Sequence, residues 1–301
     1  MKPGGYLSDD LKQAISQTLR AAGDDSPLKE VSTVGGGDIN HAARVTTAQN
    51  RYFVKWHQSP PPRFFDCEAR GICLLRDAGA VRVPDVIGHG RVPNSHTEYL
   101  ILEWIDRNGS RYNAARELGR QLAMQHKQVY PSYGLEYDNY IGELPQKNRR
   151  TRSWVNFYRS ERLGVQRDLA AQRGLLPRER ARRLDQLIER LDRWLDERLT
   201  HPSLLHGDLW GGNWMVALSG EPVIIDPAVY FGDREADLAM TALFGGFPPD
   251  FYQAYNEVFP LAPGYEERQP LYQLYYLLVH LNLFGESYGS RVDSILSRYV
   301  G

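Results

Sequence analysis

The chain has 301 residues, which favours one large or two medium domains, and its 42% hydrophobic and 24% charged residues are typical of a globular protein with a sizeable core. A formal net charge of −1 provides no basic field that would attract nucleic acid or a membrane surface, so a partner of modest size fits better. The two cysteines exclude a disulfide framework, and no apolar run approaches the roughly 20 residues of a membrane helix. Because the N-terminus also lacks the apolar core of a secretory signal, we expect a cytoplasmic protein.

The first 106 residues predict a β-rich region. A helix begins at the N-cap Ser8 and ends at Gly23, and a second helix spans residues 63–78 and is closed by Gly79. Three short antiparallel strands, the first two joined by a glycine-rich loop, and one later strand are predicted at residues 31–34, 42–47, 51–56 and 97–104.

From residue 107 onward the pattern becomes mainly helical. Amphipathic helices are predicted at residues 113–128, 184–195 and 269–284. Between the last two, a short strand pair is predicted at 213–218 and 221–226. The sequence therefore predicts an α+β fold of two lobes, a β-rich N-terminal lobe with one key helix over residues 1–106 and a mainly helical C-terminal lobe over residues 107–301.

An acidic residue, Glu68, falls in the apolar stripe of the second helix, where a carboxylate loses hydration unless a cation meets it. Lys55, in the strand just before, is the expected partner, although most strand lysines lie on a solvated face. A lysine held by a helix glutamate beneath a glycine-rich loop is how protein kinases grip the α- and β-phosphates of ATP. The loop here would be Gly35, Gly36 and Gly37, although three glycines between strands are by themselves more typical of a plain hairpin turn.

The segment LLHGDLWGGN places Asp208 five residues before Asn213, which is the spacing between the base and a metal-binding asparagine in protein kinases. Asp226 ends the next apolar strand, where a second metal-binding carboxylate would stand. Phosphoryl transfer needs an acid that orients and deprotonates the attacking hydroxyl, and hard oxygen ligands that hold Mg²⁺ against the phosphates. Each residue alone is common in turns and at strand ends, but together with the upstream lysine and glutamate they predict a kinase.

Two further residues are expected to support this loop. His206 follows two leucines and is predicted to be a buried residue that braces the loop rather than the catalytic base. Asp237 is predicted near the start of a helix, where it would accept backbone N–H groups of the loop. An acid at that position could also act on the helix dipole alone.

These segments together resemble the fructosamine-3-kinase (ketosamine-3-kinase) family. The resemblance is carried by LLHGDLWGGN, IIDPAVYFGDREADLAM and LFGGFP, and upstream by VGGGDIN, YFVKWH and DNYIGELPQKN, so it covers nearly the whole chain. It implies a protein-kinase-like fold, related to aminoglycoside phosphotransferases and choline kinases. It also implies ATP- and Mg²⁺-dependent phosphorylation of the 3-hydroxyl of ketoamines, either small molecules or glycated protein lysines. The phosphorylated adduct is unstable and frees the amine, which would make the reaction a deglycation repair.

The resemblance implies a role for each matching residue. Asp208 would accept the proton, Asn213 and Asp226 would bind Mg²⁺, and the lysine–glutamate pair would position the phosphates. The hinge residues whose backbone would meet adenine are Glu103, Trp104 and Ile105. Many family members carry a cysteine directly after the loop glycines, where this chain has Asp38, so we expect no redox control there and a carboxylate that points away from the phosphates.

The substrate site is less sharply defined. Family-like segments contain residues that could line a sugar site, although packing of the C-terminal lobe accounts for the aromatic ones equally well: Asp138, Asn139, Trp154 and Arg162. The alternatives are a kinase for an aminoglycoside or amino alcohol, which the arginine-rich segment 149–183 disfavours for polycations, and an inactive nucleotide-binding module. Ribulosamine, erythrulosamine and fructosamine adducts, free or protein-bound, all remain candidate substrates, and no oligomeric state is predicted.

Overall fold

A computed structural model describes residues 7–35, 40–107 and 112–301, with only the main chain at residue 112. The first part contains a five-stranded antiparallel sheet of strand order β1-β2-β3-β5-β4. Its strands are β1 (Glu30–Thr33), β2 (His41–Thr46), β3 (Arg51–His57), β4 (Val86–Arg91) and β5 (Glu98–Glu103). Strand β4 was not predicted, because its two glycines and its largely half-exposed side chains give it no apolar alternation.

The two helices of this region pack on opposite faces of the sheet. Helix α1 (Asp9–Ala21) begins where the Ser8 side chain accepts a hydrogen bond from the backbone N–H of Leu11 at 3.2 Å, and its apolar face covers one side of β3 and β5. Helix α2 (Phe64–Ala78) covers the other side and ends at Gly79, which adopts a left-handed backbone with a φ of 69°. Since successive strand residues point to opposite faces, Lys55 lies on the face of the sheet that α2 covers.

The second part is mainly helical. Its helices are α3 (Tyr112–His126), α4 (Trp154–Phe157), α5 (Val165–Gln172), α6 (Arg178–Glu189), α7 (Glu235–Thr241), α8 (Pro249–Val258), α9 (Tyr265–Phe284) and α10 (Gly289–Val300). A π-helical stretch, Tyr158–Gly164, joins α4 to α5. The predicted helix at 184–195 is wrong in its end: α6 stops at Glu189, and a separate 3₁₀ turn, Leu191–Arg193, follows. The apolar spacing continues across the break because Leu191 is still buried, so periodicity could not locate it.

Three short strand pairs surround the segment that carries Asp208. They are β6 (Asn139–Ile141) with β7 (Leu144–Gln146), β8 (Ser203–Leu205) with β11 (Tyr230–Gly232), and β9 (Trp214–Val216) with β10 (Pro222–Ile224). Only the last pair was predicted. Strand β10 also meets the first part of the chain, because Arg82 bridges to Val223 in parallel.

The α+β composition agrees with the sequence, and the boundary at residue 106 stays a prediction. Within the described part of the chain, no helix is long and apolar enough to span a membrane.

Candidate active site

The loop between β8 and β9 brings Asp208 and Asn213 into contact. The Asn213 side-chain amide donates to the main-chain oxygen of Asp208 at 2.8 Å and lies 3.2 Å from its carboxylate Oδ2. The loop begins at Gly207, whose φ is 83° and where an added Cβ would come within 2.0 Å of the Ala228 carbonyl oxygen. Glycine is therefore required at this position, because both the backbone angle and the close approach exclude a side chain.

Buried polar residues hold the start of this loop. The carboxylate of Asp237 accepts the backbone N–H groups of His206 and Gly207, each at 2.8 Å, and lies 3.3 Å from Nε2 of His126. Burial lowers the pKa of His206, so its imidazole is neutral; Nε2 donates to the Ile225 carbonyl at 2.9 Å and Nδ1 accepts the N–H of Asp208 at 3.2 Å. These are the contacts expected of a bracing histidine and of an acid that anchors the loop.

Lys55 links the sheet, the second helix and the segment after β10. Its ammonium nitrogen lies 2.7 Å from a Glu68 carboxylate oxygen and 2.5 Å from one of Asp226. Burial alone would lower the pKa of Lys55, but the charges of Asp226 and Glu68 outweigh it and raise that pKa above its usual value. Lys55 is therefore a fixed cation, and the expected contact with Glu68 is present.

The oxygen atoms of Asp208, Asn213 and Asp226 suit a hard cation. The side-chain amide nitrogen of Asn213 donates to Asp208, which leaves the side-chain oxygen of Asn213 out of that contact. The main-chain oxygen of Asn213 accepts the N–H of Ile225 at 3.0 Å, and this bond places Asn213 beside Asp226. In the part of the chain that the structure describes, no three His, Cys, Asp or Glu side chains cluster to hold an ion by themselves. A two-residue oxygen set fits Mg²⁺, which keeps waters and takes its other ligands from nucleotide phosphates.

Asp208 is half-buried, and both burial and the charge of Asp226 raise its pKa well above the usual value. Any cation bound between the two carboxylates would oppose this rise, because an opposite charge favours the ionised form.

An apolar cluster lies beside the segment that follows β5. Ile105 packs with Ala217 and Val223, with Met215 and Ile225 half-buried against them. The Leu218 N–H donates to the Asp106 carbonyl at 3.0 Å, which ties this segment to the end of β9. The Glu103 side chain contacts Arg82 at 2.7 Å, whereas the side chain of Ile105 contributes an apolar wall.

The glycine-rich loop is described only in part. Gly35 is included, and no atom of the described residues lies within 4 Å of where its Cβ would be, whereas Gly36, Gly37 and Asp38 lie outside the described residues.

Three of the four residues considered for the sugar site are buried and bonded within the protein. Trp154 donates its indole N–H to the Tyr272 hydroxyl at 2.9 Å and is 0% exposed. Arg162 is also 0% exposed and donates to the Lys147 carbonyl at 2.6 Å, and Asn139 donates to the Val229 carbonyl at 2.8 Å. Asp138 is half-exposed but accepts the N–H of Asn148 at 2.9 Å. These contacts favour the packing interpretation for Trp154, Arg162 and Asn139 over a sugar-lining surface.

Trp210, two residues after Asp208, was not singled out from the sequence. Its side chain is 39% exposed, and its ring lies on Gly212, where an added Cβ would approach the ring to 2.3 Å. The sequence pattern that could have indicated this arrangement is a tryptophan followed by two glycines. A bulky ring can lie flat in so short a loop only where the residue beneath it has no side chain.

Comparisons with known proteins identify the family of this chain. The fructosamine kinase family model matches residues 11–301. A probable ketoamine kinase of Lactiplantibacillus plantarum is 44% identical over 273 residues, covering 90% of this chain and 95% of the relative. The chloroplastic protein-ribulosamine 3-kinase of Arabidopsis thaliana is 39% identical over 292 residues, covering 95% of this chain and 87% of that protein.

Solved structures show the same fold. A candidate fructosamine-3-kinase from Haemophilus somnus superimposes with a TM-score of 0.86 at 30% identity, covering 95% of this chain and 97% of that one. An aminoglycoside phosphotransferase in a ternary complex with ADP and hygromycin B superimposes with a TM-score of 0.65 at 14% identity, covering 97% of this chain and 99% of that one. The second likeness concerns the fold alone, and it confirms the predicted protein-kinase-like architecture. Matched over residues 11–301, the chain belongs to the fructosamine kinase family.

Proposed function

We propose that this protein is an ATP-dependent kinase that phosphorylates the 3-hydroxyl of ketoamines. The observation that carries the proposal is the convergence of Lys55, Glu68 and Asp226 within 2.7 Å contacts beside the loop from Asp208 to Asn213. That arrangement suits phosphoryl transfer, where catalysis consists almost entirely of positioning and charge stabilisation. The names of the relatives, ketoamine kinase and protein-ribulosamine 3-kinase, favour ketoamines over the aminoglycosides and amino alcohols that the sequence left open.

The nucleotide would lie between the sheet and the β9–β10 pair. Ile105, with the half-buried Met215 and Ile225, would pack against the adenine ring, and the main chain of residues 103–105 would supply its hydrogen bonds. Lys55, kept charged by its two carboxylates, would bind the α- and β-phosphates. Asn213 and Asp226 would hold Mg²⁺, which supplies positive charge that neutralises the phosphates when bound.

Asp208 would act on the acceptor. Its carboxylate would accept the proton of the substrate 3-hydroxyl while the hydroxyl oxygen forms a bond to the γ-phosphorus and the bond from that phosphorus to the oxygen of ADP breaks. Asn213 holds this carboxylate in place through the 3.2 Å contact. The exposed face of Trp210 would support the sugar chain next to it, because an aromatic ring suits the C–H face of a sugar.

The proposal is tested by ATP consumption of the purified protein with Mg²⁺ and a panel of acceptors. The panel contains ribulose-lysine, fructose-lysine, choline and kanamycin. Turnover with the ketoamines alone is the expected result, and it ranks the two sugars. Turnover only with choline or kanamycin would keep the kinase and overturn the substrate, and no turnover with any acceptor while ATP still binds would favour an inactive module.

A further inference from the structure

Two side-chain amides of the β6–β7 hairpin bond the main chain immediately after Asp226. Gln146 donates to the Ala228 carbonyl at 2.9 Å, and Asn139 donates to the Val229 carbonyl at 2.8 Å. On the other side, the Ala228 N–H donates to the His206 carbonyl at 2.8 Å. The chain at residue 228 is therefore held from both sides, and only a proline, which has a fixed φ, separates it from Asp226.

These amides form a closed network in which each oxygen and nitrogen has a partner. The Asn139 side-chain oxygen accepts from Gln146 at 2.9 Å and from Asn148 at 2.7 Å. The Gln146 side-chain oxygen accepts the hydroxyl of Tyr275, on α9, at 2.8 Å. All three amide residues are at most 4% exposed. Buried polar networks that are fully satisfied specify one geometry, because any shift leaves a buried group unpaired.

Arg162 supports this network from outside. It lies in the π-helical stretch Tyr158–Gly164 and donates to the Asn148 side-chain oxygen at 2.9 Å. Its guanidinium carbon stands 3.8 Å from the centroid of the Tyr230 ring, just beyond the bonded segment. π-helical turns are rare in proteins and are frequently found at functional sites.

Asp226 needs such support because of its own backbone. Its φ is 57°, in the left-handed region that residues other than glycine rarely adopt, and its carboxylate is drawn to Lys55 at 2.5 Å. A residue keeps an unfavourable backbone only where the surrounding structure determines it. The bonds to residues 228 and 229 hold the chain just C-terminal to Asp226.

We propose that Gln146 and Asn139 are positioning residues that set the place of the Asp226 carboxylate for its cation. The inference rests on the proposed function in one respect, the role of Asp226 as a metal ligand. The proposal gives the β6–β7 hairpin a structural role, in place of the sugar-lining role considered for Asn139 and Arg162. Both amides are at most 4% exposed and present no surface to a nucleotide or an acceptor, so we expect their effect to pass through Asp226.

The test measures ADP binding by calorimetry with and without Mg²⁺ for the unmodified chain and for Gln146→Glu. That change keeps the shape but places a carboxylate against two oxygens, the Ala228 carbonyl and the Asn139 amide oxygen. The expected result is unchanged affinity without Mg²⁺ and a loss of about tenfold or more in the affinity gained with Mg²⁺, as for other residues that orient a metal ligand. A matched control is Asn282→Asp, also a buried amide that donates to a carbonyl, that of Gln166 at 3.0 Å, and its Mg²⁺ effect should be unchanged.

A second variant covers the case in which Gln146→Glu does not fold. Tyr275→Phe removes only the hydroxyl that holds Gln146, and the expected loss of the Mg²⁺ effect is about two- to fivefold, the size of one lost hydrogen bond. An unchanged Mg²⁺ effect in the folded variant, or an equal loss in Asn282→Asp, overturns the proposal. This binding test uses no acceptor. If the protein fails to phosphorylate ketoamines, that failure overturns the proposed function, and the binding result still decides the positioning role of the two amides.

Discussion

Removing the Lys55 ammonium should destabilise the protein by an amount that depends on pH. Lys55→Met leaves the Glu68 carboxylate, whose side chain is 13% exposed, in the apolar stripe of α2 without its cation. A buried carboxylate without a partner escapes by binding a proton, so the penalty is limited by the free energy of protonation at the pH of the experiment.

The size of this penalty follows from the ordinary pKa of the glutamate. A pH of about 7 is roughly 2.5 pH units above the ordinary glutamate pKa of 4.5. At about 1.4 kcal/mol per pH unit, protonating Glu68 therefore costs about 3 kcal/mol. At about pH 5 the same reasoning leaves less than about 1 kcal/mol. In the variant the folded-state pKa of Glu68 lies above its unfolded value, so the free energy of unfolding falls as pH rises from about 4.5. The lost contact with Asp226 adds little, because that carboxylate is 42% exposed.

Urea unfolding at the two pH values, followed by circular dichroism, measures these differences. The double variant Lys55→Met/Glu68→Leu should recover most of the stability at neutral pH, because no buried charge remains, and should still fail to phosphorylate. An equal loss at both pH values, or a double variant no more stable than the single one, would refute the account of this pair.

Three further outcomes are expected. Asp208→Asn should lower kcat by about 10²- to 10⁴-fold while ATP affinity, from calorimetry, stays nearly the same, since the base acts on the acceptor; normal turnover would exclude that role. Trp210→Ala should raise KM for the ketoamine and not for ATP, and a change in both would argue for a disturbed loop. Burial would raise the pKa of Asp24, but hydrogen bonds from Ser26, Thr47 and Tyr52 outweigh it and lower that pKa to about 2. Asp24→Asn should therefore lower the free energy of unfolding by about 1–2 kcal/mol at neutral pH, after allowance for solvent screening. Because the folded-state pKa is depressed, that difference should shrink as pH falls from about 4 towards 2 in urea titrations, and a constant difference would contradict it.

The sequence predicted the contacts that follow from local rules. Glu68 in an apolar helix face required a cation, and the only lysine in the preceding strand, Lys55, supplies it at 2.7 Å. Ser8 and Gly79 marked helix ends because an N-cap hydroxyl and a left-handed glycine each satisfy backbone groups at one end of a helix. The spacing between Asp208 and Asn213 was informative because it matches the catalytic loop of protein kinases, and the structure brings the two residues into contact.

Contacts between distant parts of the chain could not be read in this way. The sequence suited Trp154 equally to a sugar surface and to a core, and the contact that favours the core is made with Tyr272, 118 residues further on. Asn139 and Gln146 bond to carbonyls some 80 to 90 residues away, and no pattern within the hairpin indicates those partners. Asn139 and Arg162 were considered as possible sugar contacts, and their burial among internal hydrogen bonds favours the positioning role that we propose instead.

The position of the transferred phosphate tests the central claim most directly. Ribulose-lysine and fructose-lysine, each incubated with the protein, ATP and Mg²⁺, would be followed by ³¹P and ¹H NMR with simultaneous measurement of free amine. Coupling of the new phosphorus signal to the proton on carbon 3, followed by release of lysine, is the predicted result. A phosphate on any other hydroxyl, or a stable adduct that keeps its amine, would contradict the account.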